Sequence, residues 1–245
     1  MIQPTNFLKF YATGMLSAAV ASLAAGYFAW RRGRRTATSE PTAQTTTSPP
    51  AEPDHTQGIV RRTIQYFVIP LWLAAGLTDW WCHRRTDIEH TTGLKETAIH
   101  LMLLGEAAIP VLAGLFLEID APVLSLMIAA FFTHEATAMW DVTYAVTRRD
   151  VQPVEQHVHS FLEMVPLLAV SLVTVLRWPH FMALLGQKTL PAQTPRFKRE
   201  PLGLCYAVSS LGAMALFEVL PYLEEAWRDW RANPGRWIPP KKLPA

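Results

Sequence analysis

Residues 79–100 read DWWCHRRTDIEHTTGLKETAIH, and they begin a window, ending at Glu163, that decides the fold. In this window, apolar segments long enough to cross a bilayer carry charged and imidazole side chains at helical spacing, and six of the eight histidines lie inside it. An ionisable group within a bilayer costs roughly 2.5–3.5 kcal/mol on insertion scales, so repeated examples require a compensating partner. The window therefore predicts a polar site inside a membrane protein.

Composition supports the membrane class. Of the 245 residues, 50% are hydrophobic and only 17% are charged, which is unusual for a soluble domain. The formal net charge of +2, without a basic stripe interleaved with aromatic residues, argues against nucleic-acid binding. The two cysteines, Cys82 and Cys205, form no disulfide framework and no CxxC pair.

The first 60 residues predict an anchor and a linker. Residues 10–30 contain no charged side chain and are followed by four arginines within residues 31–35, as expected of a membrane helix with a basic stop, because about 20 residues span the hydrocarbon core. We therefore assign residues 1–35 to an N-terminal transmembrane anchor. Residues 36–60 are rich in Thr, Ser and Pro, and we expect a disordered linker there because so few apolar side chains cannot offset the entropy of ordering.

Four apolar segments follow in quick succession, at residues 63–82, 97–117, 121–147 and 157–176. Because their connections are short, neighbouring helices should be antiparallel. The expected fold is an all-α integral membrane protein, with an antiparallel four-helix transmembrane bundle over residues 61–178 that binds metal.

The region 179–245 is expected to contain a polar loop, an additional C-terminal span at residues 202–217 and a tail. Trp227, Trp230 and Trp237 stand among arginines and glutamates in that tail, which is typical of an amphipathic helix lying at the membrane interface.

The spacing of polar residues predicts a shared site. Residues four apart lie on one face of a helix, and this spacing separates Asp79 from His83 and Glu96 from His100. In an antiparallel bundle these two pairs lie at the same membrane depth as the end of the third apolar segment and the start of the fourth. Four helices should therefore bring polar faces together at one depth.

Carboxylates and imidazoles without thiolates favour iron, manganese or zinc, and there are more carboxylates than one ion needs. We therefore predict two metal ions, with iron preferred and manganese or zinc as alternatives. Two of the ligands, Glu106 and His134, lie deeper and can form the floor of the site. The nine predicted ligands are Asp79, His83, Glu96, His100, Glu106, His134, Asp141, His159 and Glu163.

The pattern resembles, in a general way, the ferritin-like di-iron carboxylate bundles, in which inward carboxylates and Glu-x-x-His pairs from four helices hold two irons. The resemblance covers only residues 79–163, and here the pairs Asp79-x-x-x-His83 and Glu96-x-x-x-His100 are one residue longer. No HxxHH motif occurs, and His134-Glu135 is not followed by the second histidine of HExxH. The resemblance implies a di-iron centre, and the departures leave metal and reaction open.

Four functions fit these features. The leading one is a membrane-embedded dimetal oxidoreductase, with an unidentified electron donor and a membrane lipid or quinone-like substrate. The alternatives are a zinc-dependent membrane hydrolase, an electron carrier with haem b between His100 and His159, and a transporter of metal ions or protons. For the outer carboxylates, including Glu96 and Glu155, simple salt bridges to loop cations such as Arg149 compete with metal binding.

Localisation follows from the charges. We expect an integral membrane protein of a bacterial-type inner membrane. In a six-span topology lysines and arginines are equally numerous on the two sides, so the arginine cluster after the first span decides the orientation. It places the metal site towards the extracytoplasmic side.

Overall fold

The long apolar runs fold as helices, as their lengths predict. The computed structural model describes residues 4–37, 55–192, 194–199 and 202–240, and within these ranges it is all-helical, with one isolated β-bridge between Leu117 and Phe197. Its α-helices are α1 (Pro4–Ala37), α2 (His55–Thr63), α3 (Ile69–Arg85), α4 (Leu94–Phe116), α5 (Ala121–Ala145), α6 (Pro153–Leu176), α7 (Trp178–Leu184), α8 (Leu204–Met214) and α9 (Leu220–Ala232).

Two single π-helical turns join consecutive helices without a break. Ile64–Val68 connects α2 to α3, and Ala215–Val219 connects α8 to α9. Each turn is followed closely by a proline, Pro70 or Pro221. A proline has no N–H to donate to the preceding turn, and a widened turn before it accommodates the missing hydrogen bond.

Several of these helices are suited to a bilayer. Five helical segments are long and apolar enough to cross a membrane: Leu8–Arg35, Leu94–Phe116, Ala121–Ala145, Pro153–Leu176 and Leu204–Ala232. They are consistent with the predicted integral membrane protein. The predicted span at residues 63–82 is helical too, within the continuous helix of residues 55–85, but it is not among these five.

The structure changes two predicted boundaries. The helix of the last predicted span does not end at residue 217, because Leu204–Ala232 is one helical segment. Its second part, α9, carries buried polar side chains, described below, and its place at the membrane interface stays a prediction. Of the predicted linker, residues 38–54 lie outside the described residues, whereas residues 55–60 begin α2.

Helix α1 packs along α5 through a close contact of small residues. A Cβ atom added at Gly26 would lie 2.0 Å from Ser125 Oγ, so only glycine permits this approach. Nearby, the Asp120 carboxylate accepts a hydrogen bond from the Val123 N–H and caps the start of α5. An apolar core that includes Leu124 and Met127 lies at this end of the molecule, where α4 ends and α5 begins.

We expect Gly26→Val to destabilise the protein by about 1–3 kcal/mol, because overpacking forces neighbouring backbone apart. Gly14→Val is the matched control, since it makes the same change in the same helix at a position with no other atom within 4 Å of the added Cβ. Thermal unfolding in detergent measures both. Equal losses in the two variants would contradict the tight α1–α5 contact.

Candidate metal centre

Polar residues from four helices meet at one end of the molecule, where α3 and α5 end and α4 and α6 begin. His83 Nε2 in α3 lies 3.5 Å from Glu155 Oε1 in α6, and His100 Nε2 in α4 lies 3.4 Å from Asp141 Oδ1 in α5. These four residues are at most 4% exposed. The polar faces of four helices that the spacing brings together therefore do meet.

A fifth helix, α9, contributes the carboxylate that joins the two histidines. Glu225 Oε2 lies 3.0 Å from His83 Nδ1, and Glu225 Oε1 lies 2.9 Å from His100 Nδ1. The two imidazole rings stack with centroids 4.5 Å apart and planes 7° from parallel. One carboxylate thus orients both rings, and their Nε2 atoms lie side by side on the opposite edge.

This arrangement determines where the protons are. An ionised carboxylate only accepts hydrogen bonds, so both Nδ1 atoms donate, and in a neutral ring Nε2 then carries the lone pair. His83 Nε2, His100 Nε2 and Asp141 Oδ1 are buried without a hydrogen-bond partner among the described residues. A carboxylate that holds the far nitrogen of a metal-binding histidine is a recurring feature of metal sites.

Two overlapping groups have the dimensions of metal sites. One comprises Asp79, His83, Glu155 and His159, and the other combines His83 with Glu96 and His100; in each, the potential ligand atoms lie within 4.8 Å of one another. Metal–ligand bonds of about 2.0–2.2 Å bring ligands to within about twice that length of each other. Small side-chain movements would therefore close either group around an ion.

The distances within the first group agree with this. His159 Nε2 lies 2.9 Å from Asp79 Oδ1, and His83 Nε2 lies 3.4 Å from Asp79 Oδ2. The Tyr222 hydroxyl donates a hydrogen bond of 3.2 Å to Asp79 Oδ2. Asp79, in α3, is therefore held by His159 of α6 and by Tyr222 of α9. Both of its carboxylate oxygens face imidazole nitrogens.

Arg149, in the loop between α5 and α6, closes the outer end of the site. Its Nη2 lies 2.6 Å from Glu96 Oε1, and its Nη1 lies 2.8 Å from Glu155 Oε2. Burial opposes the charge of the guanidinium, but the hydrogen bonds to Glu155 and the attraction of Glu96 raise its pKa above the ordinary value. The predicted alternative of salt bridges thus applies to these two carboxylates, although each retains a contact with an imidazole.

The charges of this cluster do not cancel. Five carboxylates contact one of the three histidines, whereas Arg149 is the arginine among the described residues that pairs with any of the five. With neutral histidines four negative charges remain in a buried volume, and with all three histidines protonated one remains. The carboxylates are Asp79, Glu96, Asp141, Glu155 and Glu225.

Four predicted ligands lie outside the two groups. Asp141 contacts His100, as described above. Glu106 and His134 form a pair of their own, with Oε2 3.7 Å from Nδ1, and the Thr137 hydroxyl donates to Glu106. Glu163 stands in the wall of a cavity that also touches His159. Metal binding stays a prediction for these four residues and for the other five.

Four carboxylates of the polar network were absent from the predicted ligands: Glu155, Glu218, Glu225 and Asp229, each at most 2% exposed. Glu155 is four residues from His159, so the spacing favours it as much as Glu163.

In the tail, Glu218, Tyr222, Glu225 and Asp229 follow one another at intervals of four, three and four residues, which is one face of a helix. This helical periodicity is the sequence signal that could have identified the polar face of the tail.

A cavity leads away from the cluster into apolar surroundings. Its polar wall includes Asp79, His100, Asp141 and His159, and its remaining wall is mainly leucine, alanine and aromatic side chains. Glu218 also lines it from the π-helical turn, and a Cβ atom at Gly76 would lie 2.2 Å from Glu218 Oε2. The cavity, of about 610 Å³ including its open part, thus has potential metal ligands on one side and apolar side chains on the other.

The chain matches no protein-family model, no curated protein and no solved structure.

Proposed function

We propose that this protein is a membrane-embedded dimetal oxidoreductase, with iron as the preferred metal and a lipid-soluble substrate. One observation carries the proposal: the Glu225 carboxylate accepts from Nδ1 of both His83 and His100. Both rings then direct unpaired Nε2 atoms into a buried shell of carboxylates. Two metal-binding faces side by side suit a dimetal site, whose ions are typically about 3.5–4 Å apart.

The alternative to metal is a network of ion pairs with protonated histidines. The Nε2 atoms of His83 and His100 lie 3.4–3.5 Å from carboxylate oxygens, so the same groups can serve either arrangement. Metal analysis of the purified protein separates the two.

Haem b is less suitable than separate ions. His100 Nε2 faces Asp141 at 3.4 Å, and His159 Nε2 faces Asp79 at 2.9 Å. Haem b between these two histidines would leave the surrounding carboxylates without a role, whereas separate ions use them as ligands. Oxygen and nitrogen donors favour iron, manganese or zinc, and the buried Cys82 thiol belongs to neither group of potential ligands.

Redox chemistry is preferred to hydrolysis because of the surroundings. The cavity beside the ligands is lined largely by apolar side chains, which suits the oxidation of a hydrocarbon or an isoprenoid. When bound, a carboxylate-bridged iron pair supplies the activation of oxygen. The protein's own residues hold the site: Glu225 orients two imidazoles, Arg149 fixes the outer carboxylates, and Tyr222 holds Asp79.

The membrane arrangement belongs to the same proposal. We place α3 to α6 as an antiparallel transmembrane bundle, with α1 and the Leu204–Ala232 segment as the outer spans. The metal site then lies near one interface, towards the extracytoplasmic side, as the arginines that follow the first span indicate.

Elemental analysis of the detergent-purified protein tests the proposal. We expect close to two irons per chain, without the Soret band of haem. His159→Ala and Asp141→Ala should each remove metal, whereas His157→Ala is the matched control because His157 is exposed and contacts Phe161. A folded wild-type protein that binds no iron, manganese or zinc when these are supplied would contradict the dimetal site, and bound zinc alone would favour hydrolysis.

A further inference from the structure

A second and larger cavity adjoins the first. It lies between α3, α4, α5 and α6, has a volume of about 1740 Å³ including its open part, and is lined mainly by apolar side chains. Trp72, Ala107 and His134 line both cavities. The His134–Glu106 pair therefore stands where the large apolar cavity meets the cavity of the proposed metal site.

Three cations line the far end of this second cavity: Arg61 at the end of α2, Arg177 after α6, and Lys198. Within the described ranges, no carboxylate lies within 4.0 Å of their charged nitrogens. Glu118 also lines this end, so the local charge remains positive.

Lys198 is held in place close to the other two cations. Its Nζ donates a hydrogen bond to the Gly114 carbonyl, which fixes the ammonium at the cavity wall. Burial lowers its pKa, and repulsion by the nearby Arg61 and Arg177 lowers the pKa further. Like charges brought together at a half-buried site are stabilised by an anion.

We infer that this cavity binds an amphiphile with one long apolar chain and an anionic carboxylate or phosphate head group. The head group lies between Arg61, Arg177 and Lys198, and the chain extends along the apolar wall towards His134. Eight residues of α4 separate Gly114, beside Lys198, from Glu106, a distance of about 12 Å. A lipid chain spans half of the roughly 30 Å hydrocarbon core, so it reaches this pair.

The inference rests on the proposed function only for the reaction, because binding requires no metal. If both hold, the methyl end of the chain, not the head group, faces the metal site. The substrate class is then a long-chain acid or lipid phosphate that is oxidised far from its head group.

Photoaffinity labelling of the full chain in lipid nanodiscs tests this geometry. Palmitate with a diazirine at its methyl end should label residues near Glu106 and His134, and palmitate with a diazirine beside the carboxylate should label residues near Gly114 and Arg177. Mass spectrometry of peptides locates both sets. The methyl ester of each probe should label these positions at least about ten-fold less, because ionic hydrogen bonds contribute roughly 1.5–3 kcal/mol.

Matched variants separate the head group from the chain. The double variant Arg61→Gln/Arg177→Gln should reduce labelling at least about ten-fold, whereas Arg62→Gln/Arg199→Gln should not, because neither neighbour lines the cavity. Ala169→Phe narrows the cavity and should stop methyl-end labelling; Leu167→Phe, at an exposed position of the same helix, is its control.

Competition by unlabelled palmitate or hexadecyl phosphate distinguishes the two head groups. Labelling confined to lipid-facing surfaces, or unchanged in the Arg61/Arg177 variant, would overturn the inference. Metal content is measured on the same samples. Loss of metal with retained labelling would count against the proposed function, and retained metal without specific labelling would count against the amphiphile.

Discussion

Arg149→Met is expected to lower the free energy of unfolding by about 3–5 kcal/mol, the usual cost of removing one partner from a buried ion pair. The Arg149 side chain is 3% exposed, and its partners Glu96 and Glu155 are fully buried. Methionine retains much of the side-chain volume but none of the charge. Two carboxylates then remain in a buried site without their cation, and the like charges repel each other.

Arg148→Met is the control for Arg149→Met, since it makes the same change in the neighbouring residue, which forms no ion pair with a carboxylate among the described residues. Chemical denaturation in detergent, followed by tryptophan fluorescence, measures both. Adding Glu155→Gln to Arg149→Met should restore part of the lost stability, because it removes one of the two unpaired charges. A loss below about 1 kcal/mol in Arg149→Met would contradict a buried, charge-compensating role.

Helical periodicity was sufficient to predict one side of the site. The four-residue spacing of Asp79 and His83, and of Glu96 and His100, predicted pairs on single helix faces, and their nitrogen and oxygen atoms lie 3.4 and 4.0 Å apart. The short loops predicted that these pairs would meet at one depth. Local spacing succeeds here because it fixes which side chains share a face.

The same reasoning could not choose between Glu155 and Glu163. Each is four residues from His159, one towards the start of α6 and one towards its middle. The choice depends on the depth of the partners: His83 and Arg149 lie at the start of the helix, whereas Glu163 lines the cavity. That information lies in other helices, not in the sequence around His159.

The role of the tail was missed for a related reason. A polar face buried against polar partners has the same periodicity as a polar face in water, and Trp227 and Trp230, both exposed, favoured an interfacial helix. Only the partners distinguish the two cases. Glu225 contacts His83 and His100, residues more than 100 positions away in the chain.

The removal of Glu225 should have the largest effect on metal binding. Glu225→Ala is expected to weaken the binding of both ions by 10- to 100-fold, as loss of a carboxylate behind a metal-binding histidine typically does. Both rings lose their acceptor in one substitution, so the ions should be lost together. Glu224→Ala is the control, because the neighbouring Glu224 pairs instead with Arg84, Arg228 and Trp80. Metal titration of chelator-treated protein measures the affinities.

Glu225→Gln makes a sharper prediction. An amide offers one acceptor oxygen and one donor NH₂, so it can accept from Nδ1 of only one ring and must donate to Nδ1 of the other. The second ring then carries its proton on Nε2 and cannot bind a metal through that atom. We therefore expect Glu225→Gln to keep one metal per chain at near wild-type affinity, while Glu225→Ala weakens the binding of both. Two tightly bound metals in the glutamine variant would contradict the role of Glu225 in fixing both imidazoles, even if the wild-type protein is a dimetal enzyme.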